Sequence, residues 1–105
     1  MTFAKPSAHG LADSFSTRSR QDLQRIVEYI ARDNPAAAER FGLALIDRAE
    51  SLANAPEMGV SMPKRPGTRF FPFGSYLIIY RPDAARQTVR ILRFWHGARG
   101  KRPLR

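Results

Sequence analysis

Apolar positions change rhythm once along this chain, from a helical period to a strand period. From Arg18 onward, Leu23, Ile26, Val27 and Ile30 recur at i, i+3, i+4 and i+7 with charged residues between them. That spacing predicts an amphipathic helix, with Tyr29 flanking its apolar stripe. Ser16 or Thr17 can cap its start, because either hydroxyl can accept from an unpaired first-turn N–H. The helix stops at Asp33-Asn34-Pro35, since proline pushes the preceding residue out of the α region. Asn34 then caps a second helix that has Pro35 at its first position. Ala38, Phe41, Leu45, Ala49 and Leu52 form its stripe, Leu43 and Ile46 lie beside it, and it ends before Pro56. Two such helices with almost no connection predict an antiparallel hairpin.

Residues 56–67 (PEMGVSMPKRPG) are rich in Pro and Gly and read as a loop. The period then becomes that of strands: Thr68 to Phe73, Tyr76 to Arg81 after Gly74-Ser75, and Thr88 to Trp95 after a turn at Pro82-Asp83-Ala84-Ala85. Strict alternation puts Val89, Ile91, Arg93 and Trp95 opposite Thr88, Arg90, Leu92 and Phe94. Phe73, Tyr76 and Phe94 are expected on the core face, and Trp95 is open to an exposed position. Upstream, residues 1–10 carry no periodicity and read as a flexible arm, while Leu11 to Phe15 reads as a short strand. Helices first and strands afterwards give an α+β fold. The expected order is β-α-α-β-β-β: an N-terminal strand, then a helical hairpin packed on an antiparallel three-stranded meander. Residues 11–105 form a single domain after the arm.

Charge sharpens this division. The 105 residues carry 18 Lys+Arg against 9 Asp+Glu, a formal net charge of +9. Residues 1–55 balance seven basic with seven acidic side chains, whereas residues 56–105 hold eleven basic and two acidic, Glu57 and Asp83. The excess therefore falls wholly on the sheet half, where codon preference cannot have placed it, and a one-sided basic domain meets an acidic partner. Fifteen of the basic residues are arginine, suited to bidentate contact with phosphate or carboxylate. With no cysteine there is neither a disulfide nor a thiolate metal site, which fits a reducing compartment. No apolar run approaches the ~20 residues needed to span a bilayer, and the first ten residues lack the apolar core of a secretory signal. A cytoplasmic protein without a membrane role is expected.

Two histidines and scattered carboxylates have no metal-ligand spacing, and neither G-x-x-x-x-G-K-[ST] nor G-x-S-x-G occurs, so no metal or cofactor is expected. The acids lie almost all on the outer faces of the helices, which disfavours a catalytic carboxylate pair. What remains is basic: Arg69, Arg81, Arg90, Arg93, His96 and Arg99, interleaved with aromatics that include Trp95. Arg81 ends the middle strand and His96 to Arg99 follow the last, so these groups are candidates to converge at one end. Arginine with histidine is the equipment for RNA cleavage by 2′-hydroxyl attack, where arginine stabilises the phosphorane and histidine moves the proton. The same arginines equally suit a solvated sheet face or a docking surface for an acidic partner.

Five segments in register carry a resemblance. They are D-L-x-x-I-x-x-Y-I from Asp22, N-P-x-A-A from Asn34, P-E-M-G from Pro56, F-P-x-G-x-Y-L-I-x-Y-R from Phe71, and R-x-x-H-G-A-R from Arg93. Together, over residues 16–100, they resemble the RelE/ParE superfamily of type II toxins, and its ParE-like, plasmid-stabilisation and gyrase-directed branch in particular. The resemblance implies the same strand, hairpin and meander. It also implies a cognate acidic antitoxin whose C-terminal segment wraps the toxin in a hetero-oligomer. RelE-like members cleave mRNA in the ribosome, whereas ParE-like members poison DNA gyrase and arrest growth. His96 matches a position that is histidine in some of the nucleases, but no tyrosine follows Arg99 to match the RelE general acid. The resemblance thus favours a binding toxin, with Arg69, Arg81, Arg90, Arg93, Trp95, His96 and Arg99 facing antitoxin or target. Its alternative is a ribosome-dependent endoribonuclease using His96 with Arg81 and Arg99. Gly100 and the basic end depart from the H-G-A-R-D continuation common in ParE-like chains.

Overall fold

A computed structural model describes residues 14–97. Helix α1 spans Thr17–Ala31 and α2 spans Pro35–Ser51. Of the two possible caps, Ser16 starts α1, its hydroxyl accepting from the Ser19 N–H at 3.0 Å. Asn34 caps α2 by accepting from the Ala37 N–H at 3.0 Å, with Pro35 in the first turn. Ala38, Gly42, Leu45, Ile46 and Ala49 form the buried side of α2, and Leu23, Ile26 and Val27 answer them from α1. Leu43 and Tyr29 stay exposed.

The loop expected at 56–67 holds more structure than its composition suggests. A 3₁₀ turn at Pro56–Met58 leads into a two-residue strand β1 (Val60–Ser61), followed by β2 (Arg69–Phe73), β3 (Tyr76–Asp83) and β4 (Thr88–His96). The sheet is therefore an antiparallel meander of four strands in the order β1-β2-β3-β4, one more than expected. The β3–β4 turn also sits two residues later than predicted, because Pro82 and Asp83 pair with Val89 and Thr88. Gln87 closes it in the left-handed region at φ 55. Between β2 and β3, Gly74 takes φ 59, as a two-residue hairpin needs at its first loop position.

Strict alternation fails on β4. Ile79 pairs with Arg93 but Tyr80 pairs with Ile91, so Leu92 is an extra residue in a β-bulge. The bulge moves Phe94 onto the face already occupied by Val89 and Ile91, and all three are buried with Ile78, Tyr80 and the helix stripes. Arg93 and Trp95 consequently share the opposite, outer face with Leu77 and Ile79, where Met62 is buried against them.

The expected N-terminal strand falls mostly outside the described residues, as does the arm at residues 1–10. Its described end does not form a strand: Ser14 is helical, and Phe15 makes only a single parallel bridge to Ile91. The Ser16 N–H donates to the Ile91 carbonyl at 2.9 Å and the Ser16 hydroxyl to the Leu92 carbonyl at 2.8 Å. The start of α1 thereby covers the open edge of β4, which would otherwise present unpaired backbone groups.

Candidate functional site

Helix α1 and the C-terminal end of β4 enclose a groove of about 650 Å³ lined by Arg25, Tyr29, Arg32, Tyr76, Arg93, Trp95 and His96, among others. Its frame is Asp22, an acid that helical patterning assigned to the solvent face. The carboxylate is instead 5% exposed. It accepts from Arg93 Nε at 2.7 Å and Arg93 Nη2 at 3.1 Å, from Arg25 Nη2 at 2.8 Å, and from the Phe94 N–H at 3.0 Å. A carboxylate this buried persists only because its acceptor positions are filled by charged and backbone donors. The hydrogen bonds to Asp22 raise the Arg93 pKa, desolvation opposes them, and the carboxylate's charge adds to the rise. A signal for this was present: Ser19, Asp22, Leu23, Ile26, Val27 and Ile30 complete one helical stripe, and a polar residue within it has to find a buried partner.

The aromatic wall is built on that frame. The Arg93 guanidinium lies 5.2 Å from the centre of the Trp95 ring, and Trp95 is partly buried against the outer-face cluster. His96 stands edge-on to Tyr76 at 4.9 Å between ring centres. Its Nδ1 is buried without a hydrogen-bond partner. Among the described residues, no carboxylate orients this imidazole, as one does where histidine acts as a general base within a triad. Tyr29 is 66% exposed at the groove mouth, with the Arg32 guanidinium 5.9 Å from its ring centre. The groove thus offers aromatic surface and guanidinium donors side by side, groups whose chemistry suits apolar and carboxylate side chains respectively.

The structure separates the remaining predicted residues. Arg81 pairs with Arg90 across β3 and β4, whereas His96 pairs with Tyr76 at the other end of the same strands. Five residues of strand at ~3.3 Å each put about 17 Å between these positions. Alternation on β3 also sets Arg81 on the outer face, while His96, opposite Tyr76, is on the helix face. The convergence allowed by the sequence does not occur for this pair, because an antiparallel hairpin places the end of one strand beside the beginning of the next. Arg99 lies outside the described residues.

Arg69 has a local structural task. Its Nη1 donates to the Gly59 carbonyl at 2.6 Å and the Glu57 carbonyl at 3.4 Å. Beside it the buried Tyr80 hydroxyl accepts from the Gly59 N–H at 2.8 Å and donates to the Pro56 carbonyl at 2.7 Å. This latch fixes the passage from α2 to β1, and Gly59 is needed there because a Cβ would come within 2.8 Å of the Phe70 carbonyl oxygen. A second groove of about 750 Å³ adjoins the latch, lined in part by Glu57, Arg69 and Asp83. Among the described residues no group of three or more His, Asp or Glu side chains could hold a metal ion.

Comparison with known proteins agrees with this architecture. A family model described as "ParE toxin of type II toxin-antitoxin system, parDE" matches residues 14–100. Toxin RelE1 of Caulobacter vibrioides is 30% identical over 82 residues, spanning 78% of this chain and 88% of that protein. A solved structure titled "Chromosomal ParDE TA system from P. aeruginosa" superposes with a TM-score of 0.64 at 19% identity, covering 78% of this chain and 90% of its own, a likeness of fold. The family match reaches across both helices and the whole sheet, and on that ground this chain belongs to the ParE toxin family of type II toxin–antitoxin systems.

Proposed function

We propose that this toxin arrests growth by binding and poisoning DNA gyrase in the cytoplasm, and that a cognate antitoxin neutralises it. The observation that carries the binding reading is the separation of Arg81 from His96, which lie at opposite ends of β3–β4 and on opposite faces. A phosphoryl-transfer site needs its proton-moving group and its charge-stabilising group within reach of one phosphate. The antitoxin reading is supported by the family and by the toxin–antitoxin title of the structural neighbour. Its acidic C-terminal segment fits the groove between α1 and β4, where Arg25 and Arg32 would take its carboxylates and Trp95, His96 and Tyr29 its apolar side chains. No helix among the described residues is long and apolar enough to cross a membrane.

The test is a supercoiling assay with purified gyrase and a rising concentration of toxin, alongside induction in cells. Loss of supercoiling, with filamentation and an SOS response, is expected. Unchanged gyrase activity at saturating toxin would overturn the proposal. The unpartnered Nδ1 of His96 favours a second reading, a ribosome-dependent nuclease. That reading requires in-frame mRNA cuts that vanish in a folded His96→Ala variant.

A further inference from the structure

Both described helices bury their stripes against one face of the sheet, yet the sequence of β3 asks for cover on both faces. An antiparallel strand with one wet face alternates apolar with polar residues. Leu77, Ile78, Ile79 and Tyr80 instead run without interruption, and all four are buried. Ile78 and Tyr80 lie in the core beneath the helices, whereas Leu77 and Ile79 belong to the outer face with Met62. Pairing lines up the outer side chains in two rows across the sheet. Val60, Phe70, Ile79 and Arg93 are successive cross-strand partners from β1 to β4. Pro72, Leu77 and Trp95 form the neighbouring row. Toward β1 this apolar surface opens to solvent: Val60 is 54% exposed, Pro72 is exposed, and Phe70 between them is half-buried.

The rim of that surface is basic. The turn after β1 shows Lys64 and Arg65 to solvent. It is fixed by the Arg65 N–H donating to the Met62 carbonyl at 3.1 Å and the Thr68 N–H donating to the Arg65 carbonyl at 3.0 Å. Arg81 is exposed on the same face, with its Nη2 donating to Thr68 Oγ1 at 3.0 Å. Residues 56–105 hold two acids, Glu57 and Asp83, and Asp83 lies 4.0 Å from Arg86. Apolar side chains in a row with charge around them mark a contact surface. A nucleic-acid backbone would gain nothing from Val60 and Pro72, since it is met by cations and polar groups. A second copy would bring two surfaces of the same sign together, in a chain of net charge +9. An acidic flexible segment suits the enclosed groove between α1 and β4. An open face with an apolar centre and a charged rim has the anatomy of contacts between folded proteins.

We propose that the outer sheet face, with Val60 and Phe70 at its centre and Lys64, Arg65 and Arg81 at its rim, docks the toxin's protein target through a folded surface that has an apolar centre and an acidic rim. This docking rests on the gyrase reading and takes gyrase as the target. It leaves the groove to the antitoxin, because Val60 stands three strand spacings, about 14 Å, from β4. Arg93 and Trp95 border both surfaces, so an antitoxin seated in the groove would crowd a target on the face.

Supercoiling by purified gyrase is measured against rising concentrations of full-length toxin, its Val60→Asp variant and its Lys64→Glu/Arg65→Glu variant. All three positions are exposed, and circular dichroism verifies each fold. Val60→Asp puts a charge into the apolar centre, and the double reversal turns rim attraction into repulsion. Each variant should need at least about tenfold more toxin for half-inhibition. An Arg18→Glu/Arg40→Glu variant reverses the same charge on the helices and should inhibit like wild type. Wild-type inhibition by either face variant would overturn the docking, as would an equal loss in the helix variant. A face variant that inhibits normally but no longer co-purifies with antitoxin, or no longer self-associates, would give the face to the antitoxin or to a second copy. If wild type itself leaves gyrase untouched, the gyrase reading falls and the docking with it. Inhibition that is present in wild type and unaltered in the face variants sinks the docking alone.

Discussion

At the scale of single residues, two buried polar groups tie distant parts of the chain together. Asp22 joins α1 to β4 through three donors on β4, two from Arg93 and the Phe94 N–H. Asp22→Ala leaves Arg93 partly buried without its counter-charge and the Phe94 N–H without its acceptor, and breaking a buried pair in this way costs about 3–5 kcal/mol. Urea unfolding followed by circular dichroism should show that loss, and an unchanged midpoint would mean the hub is dispensable. Tyr80 performs the corresponding task at the α2–β1 passage. Its pKa is raised above 10.0, chiefly by burial, while the Gly59 hydrogen bond and Arg69 pull it down. Below pH 10 the hydroxyl is neutral in folded and unfolded chains alike and its contribution is complete. As pH rises further, the unfolded chain ionises first and stability falls until the folded pKa is passed. Tyr80→Phe is expected to lower stability by about 1–3 kcal/mol at pH 8, because a buried donor and acceptor lose their partner. Stability of this variant should also fall less steeply between pH 9.5 and 11, and an identical alkaline decline in both proteins would rule that contribution out.

At the scale of elements, signals local in sequence were legible and those that depend on pairing were not. Asn34 could be read as a cap, and Ser16 as one of two candidates with Thr17, because capping joins a residue to a neighbour three positions on. Ser16 proves to do more, since its hydroxyl also donates to the Leu92 carbonyl 76 residues away in sequence. Ser16→Ala is thus expected to cost about 2 kcal/mol, at the upper end for a cap, because the Leu92 carbonyl is orphaned as well. Thermal unfolding against a Thr17→Ala control, expected to be nearly neutral, checks this, and equal small losses would reduce Ser16 to a bystander. The bulge at Leu92 had no local signal. It arises from matching β4 to β3, and it reverses the faces of Phe94 and Trp95 relative to simple alternation. The strand β1 was hidden for a similar reason: two residues inside a Pro- and Gly-rich loop become a strand only because β2 offers them an edge.

At the scale of the whole molecule, the uneven charge has two fates. Part of it is internal, as with Arg93 on Asp22 and Arg69 on the backbone carbonyls of Glu57 and Gly59. Part remains outward, on exposed side chains such as Lys64 and Arg65. Salt should separate them. Screening relieves exposed like-charge repulsion and barely touches buried pairs. Raising salt from 20 to 300 mM is therefore expected to stabilise the wild type by up to about 1 kcal/mol. The penalty of Asp22→Ala should stay constant across the same range. A wild type that is destabilised by salt would show that exposed attractions outweigh the repulsion.

The sequence alone determined the α+β class, both helices, the Asn34 cap, the meander and the excess of +9 confined to the second half. Each of these rests on residues near one another in the chain, where period, capping and turn chemistry act. The grouping of the basic residues was decided only by tertiary structure. Pairing in an antiparallel sheet sets residues side by side irrespective of their spacing in sequence, and one bulge changes which face each presents. That is why Arg81 and His96, both next to strand ends in the sequence, finish at opposite ends of the sheet. It is also why Asp22, one acid among nine, becomes the hub that holds Arg93 against the groove.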